Sequence, residues 1–517
     1  MKVICYSFFF ILLIINCQPK TNFVNDNLYM REQHRPQFHF SPMAHWMNDP
    51  NGMVYHNGEY HLFYQYYPDG NVWGPMHWGH AISTDLTRWQ HLDIALYPDS
   101  LGYIFSGSAV VDRNNTSGFG TKENPPLVAI YTYHHPDQEK EGRMDYQTQG
   151  IAYSTDNGRT WKKYDRNPVL KNPGIKDFRD PKVFWHEPTG QWIMILAVLD
   201  HVQLFRSPDL KQWEKVSEFG VDHGSHGGVW ECPDLFPLVV NGKEKWVMLV
   251  SLNNGAPNGG SGTQYFIGSF DGKVFVNENQ KEKILWIDYG TDNYAGVTWS
   301  DVPKRDGRRL FIGWMSNWNY ANVVPTTVWR SAMTIPRELK LAQTPVGTRL
   351  VSVPVEELKG LRGKEQRWEN KEISAPLDLS NATTQTGLYE VIIDFNPGIK
   401  QRFSLELANG AGEKLLISYD KEKNLLSIDR NQAGNHSFSE KFGGTHTAPR
   451  EMEGAIQSLQ LFVDHSSVEL FIDNGLTVMT ELMFPSEIFN RLTLHPDTKD
   501  SLNVKSISLY EINRIWP

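Results

Sequence analysis

Short hydrophobic segments with alternating polar positions, separated by turn residues, run through the chain from about residue 40 onwards. Examples are residues 60–66, 127–133 and 192–198, each bounded by Gly, Pro, Asn or Asp. Alternation with a period of two predicts β-strands, and turn residues at this spacing predict hairpins. Helical periodicity is nearly absent, so the pattern predicts an all-β protein.

A short turn sequence, Ser-x-Asp followed by Trp, recurs along the first part of the chain. It begins at Ser83, Ser154 and Ser207, with a looser copy at Ser269, at intervals of 71, 53 and 62 residues. The Asp caps a tight turn and the Trp packs over the returning strand. One such hairpin cannot bury its own apolar face, so copies at this period predict blades of a β-propeller. With an N-terminal unit and a last one at 293–318, five blades are expected.

The pattern changes near residue 340, where the Trp-rich segments end. Beyond a connector, Leu459, Leu461 and Val463 share one strand face, and Val468 and Leu470 follow after a turn. Regular antiparallel strands of this kind predict a β-sandwich. We therefore predict an all-β chain with a five-bladed β-propeller over 36–343, a linker over 344–370 and a C-terminal β-sandwich over 371–517.

The N-terminus has the layout of an export signal. Lys2 precedes an apolar run over residues 3–15, which is too short to span a bilayer comfortably. Cys17 follows directly, as in a bacterial lipoprotein signal whose cysteine is acylated and becomes the new N-terminus. This predicts a signal over 1–17, lipidation of Cys17 and a cell-envelope location. The alternative is a plain cleaved signal and secretion.

Composition and charge narrow the classes of partner. The net charge of the 517 residues is -9 and no long basic run is visible, which disfavours nucleic acid and anionic lipid. The chain has 17 Trp, which can form aromatic strands or stack on sugar rings, and both readings stay open. Two of the three cysteines lie in or beside the leader, so a disulfide framework is not expected.

Three acidic residues stand beside aromatic and turn-forming neighbours: Asp49 in Trp-Met-Asn-Asp-Pro, Asp180 in Phe-Arg-Asp-Pro and Glu231 in Trp-Glu-Cys-Pro. With Ser106 and Asn293 they are spaced by 57, 74, 51 and 62 residues, which matches the blade period. The innermost strand of each blade lines the central channel, so these positions are expected to converge at one mouth of it. A single Asp before Pro is most often a capped turn; the three together indicate function.

Converging carboxylates suit glycoside cleavage. One carboxylate attacks or stabilises the anomeric carbon, and one carboxylic acid protonates the leaving oxygen. Crowding acids in a pocket moves their pKa values apart. We expect Arg179 to hold Asp180 ionised. Glu231 has the more apolar sequence neighbours and is therefore the better candidate for the acid.

Two histidine pairs, His77 with His80 and His223 with His226, are candidate metal ligands. Such pairs usually need a helix and a third ligand at suitable spacing. Because no helical context is apparent, hydrogen bonding to loops or substrate is the favoured interpretation.

The ordered motifs around Asp49, Asp180 and Glu231 closely resemble those of glycoside hydrolase family 32, which contains invertases, inulinases and levanases. The resemblance extends over essentially the whole chain after the leader, and 464–471 resembles the motif of that family's sandwich. It implies a five-bladed propeller, a β-sandwich and retaining cleavage of β-fructofuranosidic bonds in levan, inulin or sucrose. It also implies that no metal or organic cofactor is needed.

The resemblance further implies roles for individual residues. Asp49 would be the nucleophile, Glu231 the general acid and then base, and Asp180 would stabilise the transition state through fructose hydroxyls. The residues implied to bind substrate are Trp46, Asn48, Gln65, Trp73, Phe105, Ser106, Arg179 and Trp314.

Several alternatives stay open at this stage. The surroundings of Trp73 and Phe105 favour exo action that releases fructose, with endo action as the alternative. Fructosyl transfer would use the same covalent intermediate. An arabinan- or xylan-cleaving propeller hydrolase and a non-catalytic glycan-binding surface protein are the remaining candidates, and the sequence does not predict an oligomeric state.

Overall fold

The computed structural model describes residues 30–396, 402–497 and 501–516. The predicted signal over 1–17 and Cys17 lie outside the described residues. Within them nearly all regular structure is β-strand, as predicted; the helices are one short α-helix, α1 (Pro136–Lys140), and 3-10 turns at Ala321–Val323 and Glu356–Leu361. None of these is long or apolar enough to cross a membrane.

Five antiparallel sheets follow one another between residues 45 and 354. The first two contain β1 (His45–His56), β2 (Glu59–Tyr67), β3 (His77–Ser83), β4 (Gln90–Leu96), β5 (Tyr103–Val111), β6 (Leu127–His134), β7 (Gln147–Ser154) and β8 (Lys162–Lys163). The third contains β9 (Phe178–His186), β10 (Gln191–Val198), β11 (His201–Ser207) and β12 (Glu214–Phe219). The fourth contains β13 (Trp230–Val240), β14 (Lys243–Leu252), β15 (Gly262–Phe270), β16 (Phe275–Asn277) and β17 (Leu285–Trp286). The remaining strands are β18 (Tyr294–Thr298), β19 (Arg309–Met315), β20 (Trp329–Arg330), β21 (Ala332–Met333), β22 (Arg337–Thr344) and β23 (Gly347–Pro354).

The first strands of the five sheets close a ring. Strands β1, β5, β9, β13 and β18 each contact the next, and β18 contacts β1. Strand β20, which follows β19 of the fifth sheet in the chain, belongs to the first sheet, where it pairs in parallel with the start of β1. This pairing joins the end of the ring to its beginning. This closed arrangement of sheets is a β-propeller, as the sequence predicted.

The recurring Ser-x-Asp turn connects the third and fourth strands of the first three sheets. In the first copy Asp85 accepts the backbone N–H groups of Thr87 and Arg88 at 2.9 and 2.7 Å. Asp156 and Asp209 accept equivalent backbone bonds at 2.9 Å. The aspartate therefore caps each turn in the way the repeat predicted.

The C-terminal region is a sandwich of two six-stranded sheets around one apolar core. One sheet contains β24 (Arg362–Ile373), β26 (Tyr389–Phe395), β31 (Ser458–Asp464), β32 (Ser467–Ile472), β33 (Thr477–Leu482) and β35 (Leu502–Ile512). The other contains β25 (Leu377–Asp378), β27 (Phe403–Ala408), β28 (Lys414–Asp420), β29 (Leu425–Asp429), β30 (Thr445–Pro449) and β34 (Arg491–Pro496).

The segment predicted as a linker, 344–370, is mostly strand. Its first part is β23, which pairs with β22 in the fifth propeller sheet, and its last part is most of β24. The connection between the two regions is therefore only 355–361. The prediction missed β24 because this edge strand is mostly polar and exposed, with seven charged residues among its 12, so it shows no apolar alternation.

Two networks of buried charge join the propeller to the sandwich. In the first, Arg337 pairs with Asp288 at 3.0 Å and with Glu469, while His39 bonds Asp464 at 2.7 Å and Glu469 at 2.9 Å. Burial alone would lower the pKa of His39, but the hydrogen bonds that its ring donates to both carboxylates raise it to about 9. His39 therefore carries a charge at neutral pH.

The second network lies beside the first. Arg430 pairs with Asp292 at 2.8 Å and with Glu481 at 2.9 Å, and His446 bonds Glu481 at 2.9 Å. The hydroxyl of Tyr320 donates to Asp292 at 2.6 Å. Each buried carboxylate thus has cationic or hydroxyl partners, which hold the pKa of Glu481 below its usual range, whereas burial still raises the pKa of Asp292.

Candidate active site

Every innermost strand of the ring has an irregularity in its pairing near the same end. In β1, β5, β13 and β18 the register shifts between Met47 and Pro50, Ile104 and Gly107, Glu231 and Asp234, and Tyr294 and Val297. In β9 the shift lies opposite Ile195 and Ala197, at Asp180 and Pro181. A bulge of this kind interrupts the ladder and redirects side chains. The residues freed in this way are those that the motifs contain.

Proline explains why these bulges occur where they do. Pro50, Pro181 and Pro233 have no backbone N–H to donate, so within a sheet they fit bulges and edges. Asp180 has φ 64° and Cys232 φ 45°, in the left-handed region that non-glycine residues rarely adopt. The Asp-Pro and Cys-Pro pairs therefore mark the bulges that aim the acids.

A cavity of about 360 Å³ brings Asp49, Asp180 and Glu231 together. Each acid comes from a different sheet, so the convergence predicted from the blade period is present. The other predicted residues that line the cavity are Asn48, Gln65, Trp73, Phe105, Ser106 and Arg179.

Two predicted substrate-binding residues, Trp46 and Trp314, do not line the cavity. Both are fully buried, with ring centroids 6.1 Å apart. The Trp46 indole N–H donates to the side-chain oxygen of Asn48 at 2.7 Å, so it positions a lining residue from behind. Trp318, whose ring centroid is 4.9 Å from that of Trp314, lines the cavity in its place. The sequence pattern could not tell which Trp of this segment faces the opening.

Donors surround the carboxylate of Asp49. Asn48 donates to one oxygen at 2.9 Å, and the Ser106 hydroxyl donates to the other at 2.8 Å. The Cys232 thiol lies 3.5 Å from that second oxygen. Three neighbours from three strands therefore fix the direction of this carboxylate.

Arg179 is directed mainly at Glu231, which differs from the expectation that it would hold Asp180 ionised. Its guanidinium donates to Glu231 at 2.9 Å and to Asp177 at 2.5 Å, whereas its nearest approach to Asp180 is 4.0 Å. The hydroxyl of Tyr294 also donates to Glu231. The apolar sequence neighbours of Glu231 are thus a poor guide to its surroundings, because adjacent residues of a strand point to opposite faces.

Asp180 lies deepest of the three acids and is only 5% exposed. Burial raises its pKa from 3.8 to about 7, and the negative charges of Glu231 and Asp49 add to this rise. Arg179 and the backbone N–H of Cys232, which is 3.0 Å from the carboxylate, act in the opposite direction. Asp180 therefore holds a proton more readily than an exposed aspartate does.

Several lining residues were not predicted. They are His134, Glu139, Tyr146, Gln147, Asp177, Trp318 and Asn322. Two had a detectable signal: Asp177 is next to the Phe-Arg-Asp-Pro motif, and Trp318 ends the motif that contains Trp314. The others stand in segments without a motif and reach the cavity only through the fold.

The histidine pairs make contacts other than metal coordination. A His77 ring nitrogen lies 2.9 Å from the Pro75 carbonyl, and His80 stacks on Phe63 with centroids 4.0 Å apart. His223 bonds Asp222 at 2.8 Å, and His226 bonds an aspartate of the neighbouring loop at 3.1 Å. The part of the chain that is described contains no group of three or more His, Cys, Asp or Glu side chains placed to hold a metal ion.

Comparison with known proteins gives the same picture. The profile of the glycosyl hydrolases family 32 N-terminal domain matches residues 39–354, and that of the family's C-terminal domain matches 357–511. A levanase of Bacillus subtilis (strain 168) is 52% identical over 498 residues, which cover 95% of this chain and 72% of the levanase. A crystal structure of exo-inulinase from Aspergillus awamori has a TM-score of 0.85 at 36% identity, covering 94% of this chain and 100% of that one. A β-fructofuranosidase from Schwanniomyces occidentalis in complex with fructosyl-erythritol has a TM-score of 0.84 at 33% identity, covering 95% and 100%.

Proposed function

Because this chain belongs to glycoside hydrolase family 32, we propose that Asp49, Asp180 and Glu231 are the groups with which it cleaves β-fructofuranosidic bonds, with retention of configuration. The chain is a glycosidase with β-fructofuranosidase activity towards fructans and sucrose, as its levanase and exo-inulinase relatives indicate. The observation that carries the residue assignment is the meeting of three acids from three sheets in one cavity of sugar size.

The first chemical step forms a covalent intermediate. Asp49, held by Asn48 and Ser106, attacks the anomeric carbon of a bound fructosyl unit. Glu231 gives its proton to the leaving oxygen, and Arg179 beside it stabilises the carboxylate that remains. Attack and proton transfer from two separate carboxyl groups is the chemistry of a retaining glycosidase.

The second step releases fructose. Glu231, now ionised, accepts a proton from the incoming water, which breaks the bond to Asp49 and restores both groups. Asp180 binds the hydroxyls of the fructosyl unit throughout. Its burial makes such hydrogen bonds strong, because little water competes for the carboxylate.

The shape of the cavity supports exo action. Its rim is bridged between the first and fifth sheets, where the Trp73 backbone N–H donates to Asn322 at 2.9 Å. Trp73 also lies edge-on to Phe105, with ring centroids 6.0 Å apart. A bridged rim closes one side of the mouth, and this favours a terminal fructosyl unit over the middle of a chain.

The relatives include extracellular exo-inulinases, and export of this chain fits its N-terminal signal pattern. The finer placement is also a proposal: acylation of Cys17 would hold the enzyme at the cell envelope. Labelling with a fatty-acid analogue should mark the wild-type protein and not a Cys17→Ala variant. Equal labelling of both would exclude this anchor.

Chromatography of early products tests the mode of action. Purified protein is incubated with levan, inulin and sucrose, and with arabinan and xylan as controls. Fructose as the only early product from the fructans is expected, with no pentose from the controls. A ladder of fructan oligomers before fructose appears would contradict exo action.

A further inference from the structure

The strand β24 forms an open edge of the sandwich. It pairs with β35 on one side, and within the described residues no strand pairs with its other side. It is 12 residues long. Its last residue, Ile373, is buried, and apart from Gly363 the ten others have exposed or partly exposed side chains. An edge of this length exposes a row of unpaired backbone groups that can accept another strand.

The charges on β24 have a definite order around Trp368. The charged residues on either side of it are Lys364, Glu365, Arg367, Glu369, Lys371 and Glu372. When this series is reversed about Trp368, every positive residue takes the place of a negative one and every negative residue takes the place of a positive one.

We propose that two copies of this chain associate through their β24 strands, paired antiparallel about a two-fold axis at Trp368. In this register Arg367 faces Glu369 of the second copy. Glu365 faces Lys371, and Lys364 faces Glu372. Symmetry repeats each of these three pairs, so all cross-strand charge pairs are of opposite sign, and such pairs stabilise a sheet.

Neighbouring registers do not have this property. A shift that places Arg367 opposite Trp368 sets Lys364 against Lys371. The opposite shift, with Trp368 against Glu369, sets Glu365 against Glu372. Like charges directly opposite each other are destabilising, so the charge order selects the Trp368-centred register.

The contacts that these side chains already make leave room for the pairing. Arg367 and Glu369 pair with each other at 2.9 Å within the strand, and because they remain 49% and 61% exposed, each can exchange this partner for its counterpart on the second copy. The Tyr510 hydroxyl bonds one oxygen of Glu365 at 3.0 Å, and the second oxygen is available to a facing Lys371. If the charges of β24 served only to prevent association, charges of one sign would be more effective, because they repel in every register.

Charge exchange provides the test. The variants are Arg367→Glu and Glu369→Arg, each of which places like charges opposite each other twice in the homodimer. The double variant restores opposite charges, and so does an equimolar mixture of the two single variants, which can form only the heterodimer. Both sites are exposed, so folding should be unaffected; Lys414→Glu, an exposed charge reversal on the other sheet, is the control.

Sedimentation velocity over a range of concentrations gives the readout. The wild type, the control, the double variant and the mixture should dimerise, and each single variant should dimerise at least about tenfold more weakly. Sucrose hydrolysis per chain should be the same in all of them. A wild type that stays monomeric throughout would overturn the proposal. So would single variants that dimerise normally, or a mixture that fails to dimerise.

Discussion

Two groups of buried carboxylates in this molecule, one at the junction and one in the cavity, differ in how far their charge is compensated. At the junction of propeller and sandwich, Asp464 and Glu469 are surrounded by Arg337, His39 and backbone N–H groups. Burial would raise the pKa of each acid, but these partners outweigh it and hold both pKa values below their usual range. This network of Asp464 and Glu469 is therefore compensated and maintains structure.

In the cavity, acidic side chains outnumber the cationic partners that could compensate them. Five acids line it, and of the described residues that do so only Arg179 is a permanent cation; the acids are Asp49, Glu139, Asp177, Asp180 and Glu231. His134 also lines it, but burial lowers its pKa to about 4, so it is neutral. The pKa of Asp180 rises to about 7 as a result of burial and its acidic neighbours. Burial alone does not make a carboxylate reactive; a shortage of partners does, because a substrate can then supply them.

The largest effect on activity is expected when the negative charge of Asp49 is removed. Asp49→Asn keeps the shape but cannot form the fructosyl ester, so kcat on inulin and sucrose should fall by about 10⁴-fold or more. The exposed Asp69→Asn is the matched control and should retain normal rates. Near-normal turnover by Asp49→Asn would remove Asp49 from the mechanism.

Two substrates that differ in leaving group distinguish the loss of proton donation by Glu231 from general damage to the active site. Glu231→Gln should lower kcat on sucrose by roughly 10³-fold, because the glucose oxygen needs a proton. With β-fructofuranosyl fluoride the first step needs little proton donation, so the burst of fluoride should be much less affected. Equal losses of the first step with both substrates would contradict general acid catalysis by Glu231.

At the junction, neutralising one acid should damage stability and leave chemistry intact. Glu469→Gln removes the charge that faces Arg337 and His39 and should lower the free energy of unfolding by about 3 kcal/mol. The exposed Glu282→Gln, at a position outside both networks and outside β24, should change it by less than about 0.5 kcal/mol. Denaturant titration measures both. Unchanged stability in Glu469→Gln would show that the network is not compensating buried charge.

The junction histidine should give a characteristic pH dependence. The pKa of His39 is about 9 in the folded state and 6.5 in the unfolded state, so the folded state binds the proton more tightly. Its contribution, about 3 kcal/mol, is complete below pH 6.5 and is lost as the pH rises through 9. The stability difference between wild type and His39→Gln should therefore shrink between pH 6 and pH 10. A constant difference would contradict a charged His39.

Removing the charge of Asp180 should raise the stability of the fold, which is opposite to the effect expected at the junction. Asp180 has a raised pKa in the folded state, so the wild type loses stability as the pH rises from about 4 to about 7. Asp180→Asn removes this cost and should be more stable than wild type at pH 8, with little difference at pH 4. Its activity should nevertheless fall strongly. Lower stability at pH 8 would indicate that Asp180 is compensated in the folded state.

Much of the fold could be predicted because each blade repeats the same turn chemistry. The Ser-x-Asp turns set the period, and the Asp-Pro and Cys-Pro pairs fall at that period, so convergence of the acids followed from geometry. Strand β24 escaped prediction, since an exposed edge needs no apolar face, and its charges resemble a linker.

The details of the cavity depend on side-chain direction, which the sequence does not contain. Trp314 and Trp318 belong to one short segment, yet only Trp318 reaches the opening. Arg179 is adjacent to Asp180 in sequence but bonds Glu231 from another sheet. Long-range partners of this kind arise only when five separate strands are brought into one ring.

Trapping the covalent intermediate tests the residue assignment most directly. Glu231→Gln is treated with β-fructofuranosyl fluoride, digested at acidic pH and analysed by mass spectrometry. The account predicts one added fructosyl unit on the peptide that contains Asp49, and none when Asp49→Asn is combined with Glu231→Gln. A fructosyl unit on the peptide of Asp180, or release of the inverted anomer without any adduct, would contradict it.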